Sequence, residues 1–172
     1  MTSAQPTTTT MKFIDSTHSE WHRVVGEDGP MPHPDPAPHL LLSLEQWHAV
    51  RDHWPAGLVT GVEVPNDYAI EDLAHDLPRL ALVALKFPKW VDGRAYSQAR
   101  LLRARYRFAG EVRATGEVIV DMLPLLARCG FNAVQLRAGE SQAAAERALA
   151  FFPAHYQGDV DHSQPVFARG AA

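Results

Sequence analysis

From Leu40 onward the sequence repeats one unit, a short apolar run followed by a segment of helical periodicity, at roughly 20 to 30 residues per unit. Residues 40–42 precede Ser43 and Gln46, a capping-box pair that opens a helix through about His53. Residues 58–64 precede a helical stretch at 70–77, 80–87 precede 96–106, 111–114 precede 118–129, and 133–136 precede 141–152. Such alternation is satisfied by parallel strands joined by right-handed helical crossovers. The sequence therefore predicts an α/β fold, a single domain whose parallel sheet of about four to five strands is covered by helices. This is too few units to close an eight-stranded barrel of ~250 residues, which leaves an open sheet or a partial barrel.

The ends of the chain carry less pattern. Residues 1–10 are Ser/Thr-rich and read as a disordered leader, with nothing to bury against the entropy of ordering them. Residues 11–15 and 21–25 are two short strand-like runs, expected to pair with each other as an N-terminal hairpin. Residues 30–38 place proline at every second position, a stiff extended connector within the domain. Residues 157–172 lack periodicity and read as a tail, so the domain spans 11–156. No early positive charge, no apolar leader and no run near ~18 apolar residues is present, so the expected place is the cytoplasm, off the membrane.

Several chemistries have little support. One cysteine, Cys129, allows no internal disulfide and cannot supply the thiolates of an iron–sulfur or structural zinc site. His18 with His22, and His33 with Asp35 and His39, lie in proline-rich or irregular sequence, so no metal is assigned. Neither dinucleotide nor P-loop glycine motifs occur, so no cofactor is assigned. A pI near 6.1 argues against nucleic acid as a partner.

The charge distribution is more telling. Between Lys86 and Arg113 there are eight basic residues against two acidic ones, in a chain whose net charge is −4. That asymmetry points to an anion or an acidic partner. On the helix from Tyr96, positions 95, 99, 102 and 106 form an apolar face, and Arg100, Arg103 and Arg107 align beside it. Asp92-Gly93 is a turn signal, after which Arg94, Tyr96 and Ser97 stand at a helix start beside free amides. Ser97 lies in no G-x-S-x-G elbow, and capping the helix is its expected task. Ligands of parallel sheets bind at the carboxyl ends of the strands. There Arg113, with the amide of Gly116, could hold an oxyanion, or could pair structurally with Asp92, Glu117 or Asp121; the structural pairing is favoured. Pro124 would break a helix starting at 118 unless the regular helix begins near Asp121, and Gly130 is placed to end it in the left-handed region.

The combined pattern Asp92-Gly93-Arg94-x-Tyr96-Ser97, Gly110-Glu111-x-Arg113-Ala114 and Arg128-Cys129-Gly130-Phe131 resembles a bacterial family of unknown function whose genes commonly lie beside assimilatory sulfite reductase. The similarity spans about residues 11–156. The resemblance implies an oxidoreductase label and a place in sulfite reduction, without an assigned active site. Ala95 stands where the family usually has glycine, Glu117 where it has aspartate, Met122 where it has glutamine, and Asn132 and Val134 where Asp and Phe are usual. The matched polar or backbone-special positions are Asp92, Arg94, Tyr96, Ser97, Arg103, Arg113, Gly116, Asp121 and Arg128. They are the candidates for binding an anion or a partner, with no catalytic roles. The expected function is an accessory protein of sulfite reduction and cysteine biosynthesis, docking on a reductase or its electron donor through the basic face. The alternative is a small enzyme or sensor that binds an oxyanion such as sulfite.

Overall fold

A computed structural model describes residues 10–15, 17–26, 29–151, 156–160 and 164. The leader before Thr10 and most of the tail expected at 157–172 lie outside these residues. The fold is α/β and single-domain, built on an open sheet of six parallel strands in the order β1-β8-β7-β6-β5-β4. These are β1 (Lys12–Phe13), β4 (Leu40–Ser43), β5 (Thr60–Val64), β6 (Leu82–Phe87), β7 (Glu111–Gly116) and β8 (Ala133–Val134), and β2 (Val25–Gly26) pairs with β3 (Gly29–Pro30) in a separate antiparallel ribbon. The helices are α1 (Leu44–Val50), α2 (Arg94–Ala104), α3 (Leu123–Cys129) and α4 (Gln142–Phe151).

From β4 to β8 each strand lies beside the one before it, so the helical crossovers fall on one face. That face is the main core: Leu40, Leu42, Val62, Val64, Val83, Leu85, Phe87, Val112, Ala114 and Val134 point into it and meet Trp47, Leu102, Leu123 and Leu126 from the helices. Each large apolar side chain buried there contributes roughly 1.5–3 kcal/mol. Period-two alternation sends the intervening residues to the other face, where Leu41, Leu82 and Ala84 form a small cluster under Trp21.

The N-terminal hairpin does not form. Residues 12–13 pair in parallel with β8 at one edge of the sheet, and His22 bridges Leu40 at the opposite edge. Residues 14–15 and 17–22 thus belong to a strap running across the face the helices leave uncovered. Its two ends are worth more as edge strands, each capping a row of unpaired backbone groups, than as a two-stranded ribbon with no sheet behind it. The strand count rises from the expected four to five to six because β1 joins from the N-terminus.

Local rules account for the other departures. Ser43 caps α1 in a capping box with Gln46, as expected, and the same Gln46 donates through Nε2 to the carbonyls of Val24 and Met31, tying the proline-rich connector to the helix. Residues 70–77 form two 3-10 turns (Ile70–Leu73 and Leu77–Arg79) in place of a helix. Pro78 removes a donor and disfavours helical backbone at the residue before it. Between β7 and α3 the chain is extended at Ile119, and α3 starts at Leu123 with Pro124 in its first turn, where a missing N–H costs nothing. Gly130 ends α3 at φ +97°.

Candidate functional site

Two places gather the charged residues, and they lie on different parts of the sheet. The first is the tip joining β6 to α2. Phe87 ends β6 inside the core; Asp92 then donates its N–H to the Lys89 carbonyl, and the side chain of Asp92 accepts from the N–H of Arg94 as the helix begins. The Arg94 guanidinium closes on the same carboxylate, Nε to Oδ1 at 3.0 Å and Nη2 to Oδ2 at 2.7 Å. This guanidinium, and next the side chain of Asn66, hold the Asp92 carboxyl well below the usual carboxylate range, and Asp92 in turn raises Arg94. The turn leaves Trp90 and Val91 standing out, 55% and 65% exposed. Lys86 at the end of β6, Lys89 in the turn and Arg100 on α2 are each exposed with no acidic partner among the described residues.

The second is a cleft of about 330 Å³ between the strap and the sheet, lined by Lys12, Phe13, Ile14, Asp15, His18, Ser19, Glu20, Trp21 and Arg113. Arg113 is in register with Ala84 in mid-strand, its side chain only 2% exposed. Its Nε donates to Glu111 Oε1 at 2.6 Å. Lys12 Nζ lies 3.5 Å from the other Glu111 oxygen and 3.3 Å from Glu20. The partner of Arg113 is therefore its near neighbour on the same pleat, not Asp92, Glu117 or Asp121.

The sequence candidates divide accordingly. Asp92 and Arg94 are paired at the tip. Tyr96 sits half-buried between Phe87 and Phe131, ring centroids 5.2 and 6.5 Å away, and burial raises its phenol above the ordinary range, with Cys129 adding to it. Ser97 lies exposed at the end of the first turn of α2 and does not cap it; Gly93 occupies the cap. Arg103 turns inward, Nε to the Gly130 carbonyl at 2.9 Å and Nη1 to those of Gly110, at 2.8 Å, and Phe108. Helix α2 ends at Ala104, so Arg107 lies beyond it, with φ +51°, and the expected stripe of three arginines is not presented as one surface. Gly116 is a backbone requirement, Asp121 is exposed in a 3-10 turn, and Arg128 closes α3 with its Nε buried and unpaired. Arg94 opens a helix on the covered face and Arg113 lies on the opposite one, so the two do not converge.

Sequence reasoning missed three contributors. Glu111 was within reach, since residues two apart on a strand share a face. Lys12 and Trp21 carry no local signal, because only the crossing of the strap brings them to Arg113. Burial raises the Cys129 thiol, against the pull of Arg100 and Arg128, in keeping with a packed side chain. Among the described residues no helix is long and apolar enough to cross a membrane.

The family described as bacterial protein of unknown function, DUF934, matches residues 61–167, well over half of the chain. No curated protein matches it.

Proposed function

This chain belongs to the DUF934 family of bacterial proteins of unknown function, and we propose that it is a cytoplasmic accessory protein of assimilatory sulfite reduction. In this reading it docks through the β6–α2 tip on the acidic surface of the reductase or of the reductase's electron donor. The observation that carries the docking is the exposure of Trp90 and Val91 next to Lys89 in the turn that joins β6 to α2. An exposed tryptophan with an apolar neighbour is the composition of an interface hot spot, and Lys89, together with the unpaired Lys86 and Arg100 on the two elements the turn joins, would steer an acidic partner toward this end of the sheet. The inward turn of Arg103 moves the docking surface from the helix stripe to this tip. The place in sulfite reduction is supported by the sequence resemblance that spans about residues 11–156 and is densest over 87–136.

The test is growth of a deletion strain on sulfate, sulfite, sulfide or cysteine, complemented by the wild type or by Trp90→Ala. Rescue by sulfide and cysteine alone, with Trp90→Ala failing to complement at normal protein level, is the expected result. Equal growth on every sulfur source removes the pathway. Full complementation by Trp90→Ala in a strain that does show the defect removes the docking tip.

A further inference from the structure

We propose that the cleft beneath the strap is a binding site for a small, singly charged oxyanion or carboxylate, held by Arg113 and the indole N–H of Trp21. It lies on the uncovered face of the sheet, away from the docking tip, and stands or falls separately from it.

The argument rests on which hydrogen-bonding groups in the cleft are used. A guanidinium offers five N–H donors in a fixed fork. In Arg113 only Nε has a hydrogen bond among the described residues; Nη2 lies 2.5 Å from the same Glu111 oxygen but off its bonding direction, and is buried without a hydrogen bond. Trp21 Nε1, in the wall of the same cleft, is likewise buried and unpaired. Thr115, two residues beyond Arg113 on the same face, has a buried hydroxyl without a partner. Buried donors in folded proteins are nearly always satisfied, and a charged one left unmet is costly.

The carboxylates in the cleft are already engaged. Asp15 accepts from Thr17 and His18, Glu20 from Lys12, and Glu111 from Arg113 with Lys12 close by. Among the described residues, no acceptor in the cleft meets the free donors of Arg113 and Trp21. The planar two-oxygen edge of a carboxylate or oxyanion matches the fork of a guanidinium. The charge balance limits the ligand, because Lys12 and Arg113 share the cleft with Asp15, Glu20 and Glu111, so every negative charge a ligand brings meets three carboxylates. A ligand with one negative charge meets less of that repulsion than one with two, which selects the singly charged form for the guanidinium fork.

The site is also held in shape. Its floor is a central strand. Its roof is pinned at both ends, by Ile14 donating to the Val134 carbonyl at 2.8 Å and by Leu41 donating to the His22 carbonyl at 2.8 Å. Trp21 rests on Gly61, where an added Cβ would come within 2.9 Å of its ring, so the indole is fixed against the sheet before any ligand arrives. Such preorganisation spares a ligand the ordering cost.

The test is a titration of the ¹⁵N-labelled full chain with formate, nitrate, sulfate and chloride at constant ionic strength, following the indole N–H signal of Trp21, which is identified by its loss in Trp21→Phe. A saturable shift with formate or nitrate, weaker with sulfate and absent with chloride, is expected. Calorimetry should then show Trp21→Phe binding the same anion about tenfold more weakly, the loss of one hydrogen bond to a charged group. Arg113→Lys should bind weaker still; should that variant not fold, Trp21→Phe decides, since phenylalanine removes the N–H and keeps an aromatic ring for the Leu41, Leu82 and Ala84 cluster. A shift that grows linearly and alike for every anion, or binding unchanged in Trp21→Phe, overturns the proposal.

Discussion

Glu111 and Arg113 stand two residues apart on β7 and share one face of the sheet, with Arg113 Nε donating to Glu111 Oε1 at 2.6 Å beneath the strap. The two partners are unequally placed: Arg113 is 2% exposed and Glu111 is 18% exposed with Lys12 as a second partner. Removing the acid strands a buried cation, whereas removing the cation leaves the acid with Lys12 and water. Glu111→Ala should cost about 2–3 kcal/mol. Arg113→Met, of similar length and apolar, should cost clearly less. Urea unfolding of the two variants measures the order, and a larger loss for Arg113→Met would show that the pair is not what stabilises this region.

Arg103 predicts a second effect. Its guanidinium spans the carbonyls of Gly130, Gly110 and Phe108, joining α3's C-terminus to the loop that enters β7. A lysine ammonium is a point donor on a flexible stem and cannot reach three acceptors set for a fork. Arg103→Lys should therefore destabilise by about 2 kcal/mol despite keeping the charge. Thermal or urea unfolding checks this, and a neutral outcome would reassign Arg103 to the surface.

The alternation of strand and helix was legible because it reflects burial: a central parallel strand buried on both faces is a short continuous apolar run, and Leu82 to Phe87 is one, broken only by Lys86. The capping box at Ser43 and the left-handed stop at Gly130 were legible because each depends on local backbone groups. The crossing of the strap was not. Residues 11–15 and 21–25 look like hairpin partners in sequence, and only the free edges of a sheet completed much later in the chain draw them apart. The same cause hid the cleft, since Trp21 and Arg113 are 92 positions apart. At the tip, the apolar Trp90 and Val91 would by composition alone be assigned to the core, and it is the turn at Asp92 and Gly93 that puts them outside.

Asp15 gives the strap a pH response. Its carboxylate accepts from His18 and from Thr17, and these bonds lower it from the ordinary 3.8 to about 2. A carboxyl depressed in the folded state adds stability that is fully present above its unfolded value, near pH 4, and is lost as pH falls through about 2. The carboxyl-carbon signal of Asp15 should titrate near pH 2 in the wild type and move up toward 3.8 in His18→Ala without reaching it, since the two bonds from Thr17 remain. A wild-type midpoint already near 3.8 would mean that the pair does not form in solution.

Two glycines with the same backbone sign should respond very differently to a methyl group. Gly57 and Gly116 have φ of +85° and +91°, so alanine pays the left-handed cost of roughly 1–2 kcal/mol at each. Around Gly57 an added Cβ meets nothing within 4 Å, and the backbone cost is the whole effect. At Gly116 that Cβ would come within 2.4 Å of the Phe87 carbonyl oxygen. That carbonyl cannot step aside, because it accepts the N–H of Glu117 at 2.8 Å and ends a central strand of the sheet. Gly57→Ala should lose about 1 kcal/mol and fold normally, while Gly116→Ala should lose at least about 3 kcal/mol or fail to fold, the added cost being strain in a backbone contact. Equal losses in the two variants, read from denaturant midpoints at unchanged slope, would show that β6 and β7 do not approach each other as closely at their ends as this register requires.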